Sequence, residues 1–295
     1  MALDLPPLQT VDLDGPVAYR AWAGPSETTF VMVHGLGGAH VNWVRVAPGL
    51  AGQGRVLALD LPGFGSSPRL GRGSGMMDLR RTLSRFIDEV GTGDVVLSGN
   101  SMGGVLSMIQ AAVEPETIHA LVLTGAGFPR ASHARPHPLV WGALNLYETP
   151  QIGDLLAQIR TREIDAERVV RLGMRFIVAD PSSIPEDVLR LHVDAVRAHA
   201  DDPDAGPAFV DAARSLLRLG RRPDAGPRIL GNVTAPVLVL HGRRDALVPA
   251  AWAEAALRAH PSWRGRIFPD LGHVPMLEAP GRWLAEVADW LGEVR

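Results

Sequence analysis

The sequence predicts an α/β fold built on a mostly parallel sheet, and three features point to it. Short apolar runs rich in β-branched residues alternate with stretches whose apolar residues recur at helical spacing. One run leads through a Gly-x-Ser-x-Gly turn, residues 99–103, into a helix-like segment. A long helix-rich stretch, from about Gly127 to Asn232, then interrupts the alternation. Together these features predict buried strands covered by helices, with one large insertion.

Six apolar runs are the predicted parallel strands, and one earlier segment is a candidate antiparallel edge strand. The six runs are Thr29–Val33, Arg55–Leu59, Asp94–Leu97, Ala120–Thr124, Pro236–Leu240 and Gly265–Phe268, and the earlier segment is Val17–Trp22. Two apolar stripes predict amphipathic helices. They are Leu79, Leu83, Phe86, Ile87 and Val90, and, near the C-terminus, Trp283, Leu284, Val287, Trp290 and Leu291.

The insertion predicts a division of the chain into a core, residues 1–127 and 232–295, and a helical cap, residues 128–231. A crossover between neighbouring parallel strands needs only about 10–12 residues, far fewer than this stretch contains. Its apolar content is too high for a disordered segment. We therefore expect a lid of helices over the ends of the strands.

The composition excludes several kinds of chemistry. The 295-residue chain is 46% hydrophobic and 21% charged, with a formal net charge of −3, so it has no basic field for nucleic acid. The absence of cysteine excludes disulfides and thiolate nucleophiles. All 29 basic residues are arginine, which also excludes lysine Schiff-base chemistry.

The N-terminal segment Met1–Asp14 lacks a basic region followed by an apolar one, so we expect no signal peptide. No uncharged apolar run approaches the length that spans a bilayer, so we expect no stable membrane insertion. The expected location is the cytoplasm. The sequence makes no prediction of oligomeric state.

Ser101 is the candidate nucleophile, because it occupies the turn between the run Val95–Leu97 and the next helix-like segment. A serine at such a turn adopts strained backbone geometry with its oxygen exposed above the sheet, and the flanking glycines remove side chains that would clash. The helix that follows directs its positive N-terminal end at the same place. This pattern predicts a covalent mechanism in which the serine attacks a carbonyl carbon.

His273 and Asp245 are the candidate base and orienting acid. Each follows a predicted strand, so both are expected at the carboxyl edge of the sheet, where open α/β sheets build their sites. The chain order of serine, aspartate and histidine is the one found with a nucleophile elbow. Taken singly, the histidine is equally compatible with a surface loop and the aspartate with a helix cap.

The glycine-rich segment His34–Gly38 is the candidate oxyanion loop, because glycines let backbone amides approach a ligand closely. The expected donors to the oxyanion are the backbone N–H groups of Leu36 and Met102. A phosphate cradle is disfavoured, since neither Gly-x-Gly-x-x-Gly nor Gly-Lys-Ser/Thr is present.

Five motifs together resemble the α/β-hydrolase superfamily, its capped serine esterase and lipase branch in particular. They are His34-Gly35-Leu36-Gly37-Gly38, Asp60–Ser66, Gly99-Asn100-Ser101-Met102-Gly103-Gly104, Gly242–Asp245 and Gly272-His273-Val274-Pro275. The resemblance implies an eight-stranded, mostly parallel sheet with a helical cap after its sixth strand. It also implies a triad of Ser101, Asp245 and His273, without cofactor or metal. Glu278 matches a recurrent glutamate of the family and is expected to anchor loop backbone.

The leading functional hypothesis is hydrolysis of a small-molecule carboxylic ester through an acyl-enzyme. The alternative is a carbon–carbon bond hydrolase of meta-cleavage products, which this chain also resembles at its Gly-Asn-Ser-Met-Gly-Gly elbow. Those enzymes commonly carry an aromatic residue after the histidine, where this chain has Val274. A perhydrolase or lactonase, or a ligand-binding relative without catalysis, is a further alternative. The serine at position 101 argues against dehalogenase and epoxide-hydrolase chemistry, which uses an aspartate nucleophile.

Val274 is the one expected pocket residue, because it adjoins the catalytic base. Several apolar residues of the cap are candidate pocket walls, although residues at such spacing equally form a cap's own core. These are Trp141, Leu144, Tyr147, Met174 and Phe176. Trp43 and Phe64 are expected to have packing roles.

Overall fold

A computed structural model describes residues 5–128, 134–159, 164–200 and 202–294. The strands are β1 (Leu8–Asp12), β2 (Pro16–Trp22), β3 (Thr29–Val33), β4 (Arg55–Leu59), β5 (Val95–Asn100), β6 (Ala120–Thr124), β7 (Val237–Gly242) and β8 (Arg264–Phe268). The helices of the core are α1 (Ala47–Leu50), α2 (Met76–Val90), α3 (Met102–Val113), α10 (Ala250–Ala259), α11 (Pro275–Glu278) and α12 (Pro280–Val294). Between β6 and β7 lie α4 (Pro138–Glu148), α5 (Ile152–Gln158), α6 (Ala166–Ile177), α7 (Glu186–Ala200), α8 (Ala205–Arg221) and α9 (Ala225–Gly231).

The eight strands form one sheet in the order β1-β2-β4-β3-β5-β6-β7-β8. The strand β2 pairs antiparallel with β1 and with β4, and the other pairs are parallel. The predicted α/β fold, with its mostly parallel sheet, is therefore confirmed. The parallel strands bring the ends of β3, β5, β6, β7 and β8 to one edge, so the loops that follow them can build one site.

Two hydrophobic clusters cover the two faces of the sheet, because successive residues of a strand point to opposite sides. Val31, Leu57 and Leu97 belong to the cluster that includes residues of α2 and α3. Phe30 and Val96 belong to the cluster that includes residues of α12. Both predicted helical stripes thus cover the sheet, each on its own face.

Two details of the predicted sheet are corrected by the structure. Val17–Trp22 forms part of an antiparallel strand, but the edge of the sheet is β1, whose residues are mostly exposed and lack an apolar run. The strand β8 is not buried on both faces, because it forms the opposite edge and Gly265 and Arg266 are exposed. Edge strands need less apolar sequence than central ones, and hydrophobicity therefore detects them poorly.

The six helices α4–α9 follow the sixth strand, where the insertion was expected. The division into a core of residues 1–127 and 232–295 and a cap of residues 128–231 stays a proposal. None of the described helices is both long enough and apolar enough to cross a membrane.

Candidate active site

A cavity of about 790 Å³ lies between the carboxyl edge of the sheet and the inserted helices. Ser101, His273, Leu36 and Met102 line it together with residues of α4, α6, α7 and α8. The folding of the chain therefore brings these residues, from three separate loops, and residues of the insertion to one cavity. The remaining predicted residue, Asp245, lies behind His273 with a side chain that is fully buried.

Ser101 is held in a sharp turn between β5 and α3. Its backbone has φ 54° and ψ −117°, a conformation that costs a non-glycine residue of the order of 1–3 kcal/mol. The turn requires glycine at position 103, because a Cβ there would lie 2.3 Å from the carbonyl oxygen of Val33. Among the described residues the Ser101 hydroxyl has no hydrogen-bond partner, which leaves its oxygen available to a ligand in the cavity.

Leu36 and Met102, the expected oxyanion donors, both border this cavity. Within the described part of the chain neither N–H group has a hydrogen-bond acceptor. The Met102 amide is free because it opens helix α3, where the first N–H groups lack intrahelical partners. The loop that carries Leu36 and the turn at Ser101 are in close contact, since a Cβ on Gly35 would lie 3.1 Å from the Ser101 Cβ. Two unpaired donors next to Ser101 are suited to holding a developing oxyanion.

The oxyanion loop is fixed by a buried polar network beneath it. The Nδ1–H of His34 donates to the Gly35 carbonyl oxygen (2.8 Å), while its Nε2 accepts from the Leu61 N–H (3.0 Å). Burial lowers the pKa of His34. The Asp60 carboxylate accepts from the backbone N–H of His40 (2.6 Å) and from its Nδ1 (3.0 Å). Burial alone would raise the Asp60 pKa, but His40, together with His34 and the Ser66 N–H, outweighs burial and the pKa is lowered.

His273 and Asp245 form a direct pair. The His273 Nδ1 lies 2.7 Å from Asp245 Oδ2, so Nδ1–H donates to the carboxylate and Nε2 is left to act on a proton. The other carboxylate oxygen, Oδ1, accepts from the N–H groups of Leu247 (2.8 Å) and Val248 (2.9 Å). Burial would raise the pKa of Asp245, but the imidazoles of His273 and His241 hold it well below its usual range.

The loop that carries His273 is bound to the inserted helices. The backbone N–H of His273 donates to the carbonyl of Ile177 (2.7 Å). Glu278 accepts from the N–H of Gly272 (2.8 Å) with one oxygen and from that of Ala179 (2.7 Å) with the other. Burial raises the Glu278 pKa. These contacts agree with the anchoring role expected of Glu278.

Asn100 is a supporting residue that the sequence analysis did not assign a role. Its side-chain amide donates to the carbonyl of Thr124 (3.0 Å) and to that of His273 (3.3 Å). It thereby links the serine turn to the histidine loop. Only its position beside Ser101 could have indicated this role from the sequence, because Thr124 and His273 are distant along the chain.

The expected pocket residue Val274 lines the cavity. Of the candidate cap residues, Trp141, Tyr147, Met174 and Phe176 do so too, whereas the side chain of Leu144 lies outside the described residues. Trp43 packs against Trp283, with ring centroids 6.2 Å apart, as expected for a packing role. Phe64 has two roles, because it packs on His34 and also borders the cavity.

Comparison with known proteins identifies the protein family to which this chain belongs. The family model described as alpha/beta hydrolase fold matches residues 28–280. A 2-hydroxy-6-oxononadienedioate/2-hydroxy-6-oxononatrienedioate hydrolase from Cupriavidus pinatubonensis is 31% identical over 290 residues, covering 95% of this chain and 93% of the relative. The chain therefore belongs to the α/β-hydrolase family, and hydrolase activity is the general function that this membership supports.

Solved structures agree on the fold. A putative lipase from Acinetobacter baumannii AYE superposes with a TM-score of 0.78 at 21% identity, over 98% of this chain and 91% of its own. A meta-cleavage product hydrolase, CumD, superposes with a TM-score of 0.72 at 19% identity, over 99% of both chains. At these identities the two neighbours support the shared fold alone, and the fold accommodates both kinds of chemistry.

Proposed function

We propose that this chain is a serine hydrolase that cleaves a carbon–carbon bond next to the ketone of a 2-hydroxy-6-oxo-dienoate compound. The observation that carries the proposal is the Asp245–His273 pair facing the same cavity as Ser101 and two unpaired amides. The relative from Cupriavidus supports this substrate class. The proposal therefore places carbon–carbon cleavage before ester hydrolysis, which was the leading hypothesis from the sequence alone.

The residues divide the chemistry in a defined way. The Ser101 oxygen attacks the ketone carbon while His273 Nε2 takes its proton, and the Leu36 and Met102 amides hold the resulting oxyanion. The bond between the acyl carbon and the neighbouring carbon then breaks, and His273 returns the proton to the leaving carbon. Water repeats the attack on the acyl-enzyme and releases a carboxylic acid. Asp245 stays ionised throughout and fixes the imidazole tautomer.

Arg135 is the group in the cavity that we propose for binding a substrate carboxylate. Arg135 borders the cavity and is exposed, and it has no carboxylate partner among the described residues. The other cavity-lining arginine, Arg221, is paired with Glu148. A guanidinium without a partner is suited to a carboxylate on the substrate. The name of the Cupriavidus relative denotes a dicarboxylate, and this supports an acidic substrate.

Ester hydrolysis is the second candidate, and the lining of the cavity favours it. Most side chains that border the cavity are apolar, which suits an acyl chain. Val274 also stands where the carbon–carbon hydrolases commonly carry an aromatic residue. The same serine mechanism serves an ester, with an alcohol in place of the carbon leaving group.

A substrate panel tests the proposal. The wild-type protein is assayed for loss of the yellow colour of a 2-hydroxy-6-oxo-dienoate and for release of p-nitrophenol from acetyl, butyryl and octanoyl esters. We expect dienoate turnover to exceed ester turnover and both to vanish in Ser101→Ala. Ester turnover alone supports the second candidate. Inertness toward both substrates, with failure to label Ser101 by a fluorophosphonate, supports the non-catalytic alternative.

A further inference from the structure

A second histidine reaches the aspartate of the proposed triad. His241 lies near the end of β7 and is fully buried. Its Nε2 lies 2.9 Å from the Val248 carbonyl oxygen and 3.2 Å from Asp245 Oδ2. Because a carbonyl oxygen only accepts hydrogen bonds, Nε2 carries a proton, which it donates to the Val248 carbonyl while lying within 3.2 Å of the Asp245 carboxylate.

The opposite nitrogen of the ring fixes the tautomer. Among the described residues His241 Nδ1 has no hydrogen-bond partner, and it is closed off from solvent. A proton on Nδ1 would leave a buried charged donor without an acceptor, which costs several kcal/mol. The arrangement therefore fits an imidazole that is protonated on Nε2 alone, donates to the Val248 carbonyl and lies uncharged beside Asp245.

His241 lies beside an Asp245 carboxylate that other groups already hold by hydrogen bonds. Oδ1 accepts from two backbone N–H groups, those of Leu247 and Val248. Oδ2 accepts from His273 and lies within 3.2 Å of His241. The carboxylate is thus held on both oxygens and cannot rotate without breaking several hydrogen bonds. His241 lies next to the same oxygen that accepts from His273.

We propose that His241 is a positioning residue, which holds Asp245 Oδ2 against His273 and moderates the charge that the base experiences. This inference rests on the proposed triad. Besides His241, the titratable groups that interact with Asp245 are His273 and, more weakly, the Glu278 carboxyl on α11. The partial positive charge of the His241 N–H lies near Oδ2, so it offsets part of the carboxylate charge that acts on His273.

Two substitutions separate positioning from packing. His241→Phe keeps a ring but removes the donor, whereas His241→Gln restores an amide donor near the place of Nε2. We expect His241→Phe to lower kcat by about tenfold with KM nearly unchanged, as for an interaction that matters in the transition state. We also expect the acid limb of the kcat/KM profile to move to higher pH, because His273 becomes more basic. His241→Gln should restore most of both properties.

The assay uses p-nitrophenyl butyrate and, in parallel, the rate of fluorophosphonate labelling against pH. Val239→Ala is the matched control, because this buried β7 residue is absent from the contacts of Asp245 and its truncation lowers stability without removing a donor. An unchanged pH profile in a folded His241→Phe variant would overturn the inference. Equal losses in the Phe and Gln variants, matched by Val239→Ala, would overturn it too. A wild-type protein that neither turns over nor labels would instead refute the proposed function.

Discussion

At the scale of single residues, the site depends on which hydrogen-bond donors face which oxygens. Asp245 is buried and yet ionised, because His273 and His241 counter the cost of burial. The carboxylate in turn requires a proton on His273 Nδ1, so Nε2 is available to act as the base. A neutral isostere at position 245 would remove the charge and the tautomer preference while preserving the size of the side chain.

Asp245→Asn is therefore expected to reduce kcat by on the order of 10⁴-fold, because an asparagine amide can hold the imidazole in the unproductive tautomer. The measurement is kcat for p-nitrophenyl butyrate. Asp270→Asn serves as the control, since this exposed aspartate pairs with Arg282. A loss of less than tenfold at position 245 would contradict the role given to this residue.

Arg135 gives a prediction on substrate charge. In Arg135→Gln the ratio of kcat/KM for mono-p-nitrophenyl adipate to that for p-nitrophenyl hexanoate should fall by up to about fivefold, as expected for an exposed ion pair. Arg175→Gln makes the same charge change at an exposed site on α6 and should leave the ratio unaltered. The idea fails if both variants change the ratio equally, since that result would reflect only net charge.

At the scale of secondary structure elements, the histidine loop and the C-terminal end of α6 form one unit. The carbonyl of Ile177 accepts from His273, and Glu278 joins Gly272 to Ala179. The inserted helices therefore take part in positioning His273, the proposed base, as well as in roofing the cavity.

Glu278→Gln is expected to destabilise the protein and to lower kcat. A glutamine has one acceptor oxygen, so one of the two N–H groups, buried or half-buried, loses its partner at a cost of about 1–3 kcal/mol. The free energy of unfolding in urea and kcat measure the two effects. Glu293→Gln on the exposed end of α12 is the control. An unfolding free energy that matches wild type would refute the anchoring role.

At the scale of the whole molecule, burial of neutral histidine makes stability depend on pH. His34 accepts a hydrogen bond at Nε2, so a second proton there would displace the Leu61 N–H. Burial lowers its pKa in the folded state, whereas the unfolded chain binds the proton near pH 6.5. The unfolded state therefore binds more protons below about pH 6.5, and stability is lost as the pH falls from there.

We expect the free energy of unfolding to decline below about pH 6.5 with a contribution from His34 of at most about 1.4 kcal/mol per pH unit. The check is urea denaturation from pH 7.5 to 5 for wild type and for His34→Gln, which keeps an acceptor for Leu61. Taking the difference between the two proteins at each pH removes the opposing contribution of Glu278. Parallel curves would show that His34 does not titrate between the two states.

The sequence by itself determined the parallel strands, the turn at Ser101 and the identity of His273 and Asp245 as candidates. These features follow from local periodicity and from motifs within a few residues of one another. Only the tertiary structure brought His241 and Asn100 to the site and gave Glu278 its two backbone donors. Asn100 reaches His273 and Glu278 reaches Ala179 across long stretches of the chain, so these distances depend on the path of the whole backbone. His241 is only four residues from Asp245, and their contact depends on how the loop after β7 folds back. The edge strand β1 was not predicted, because its own polar sequence carries no strand pattern and pairing with β2 defines it.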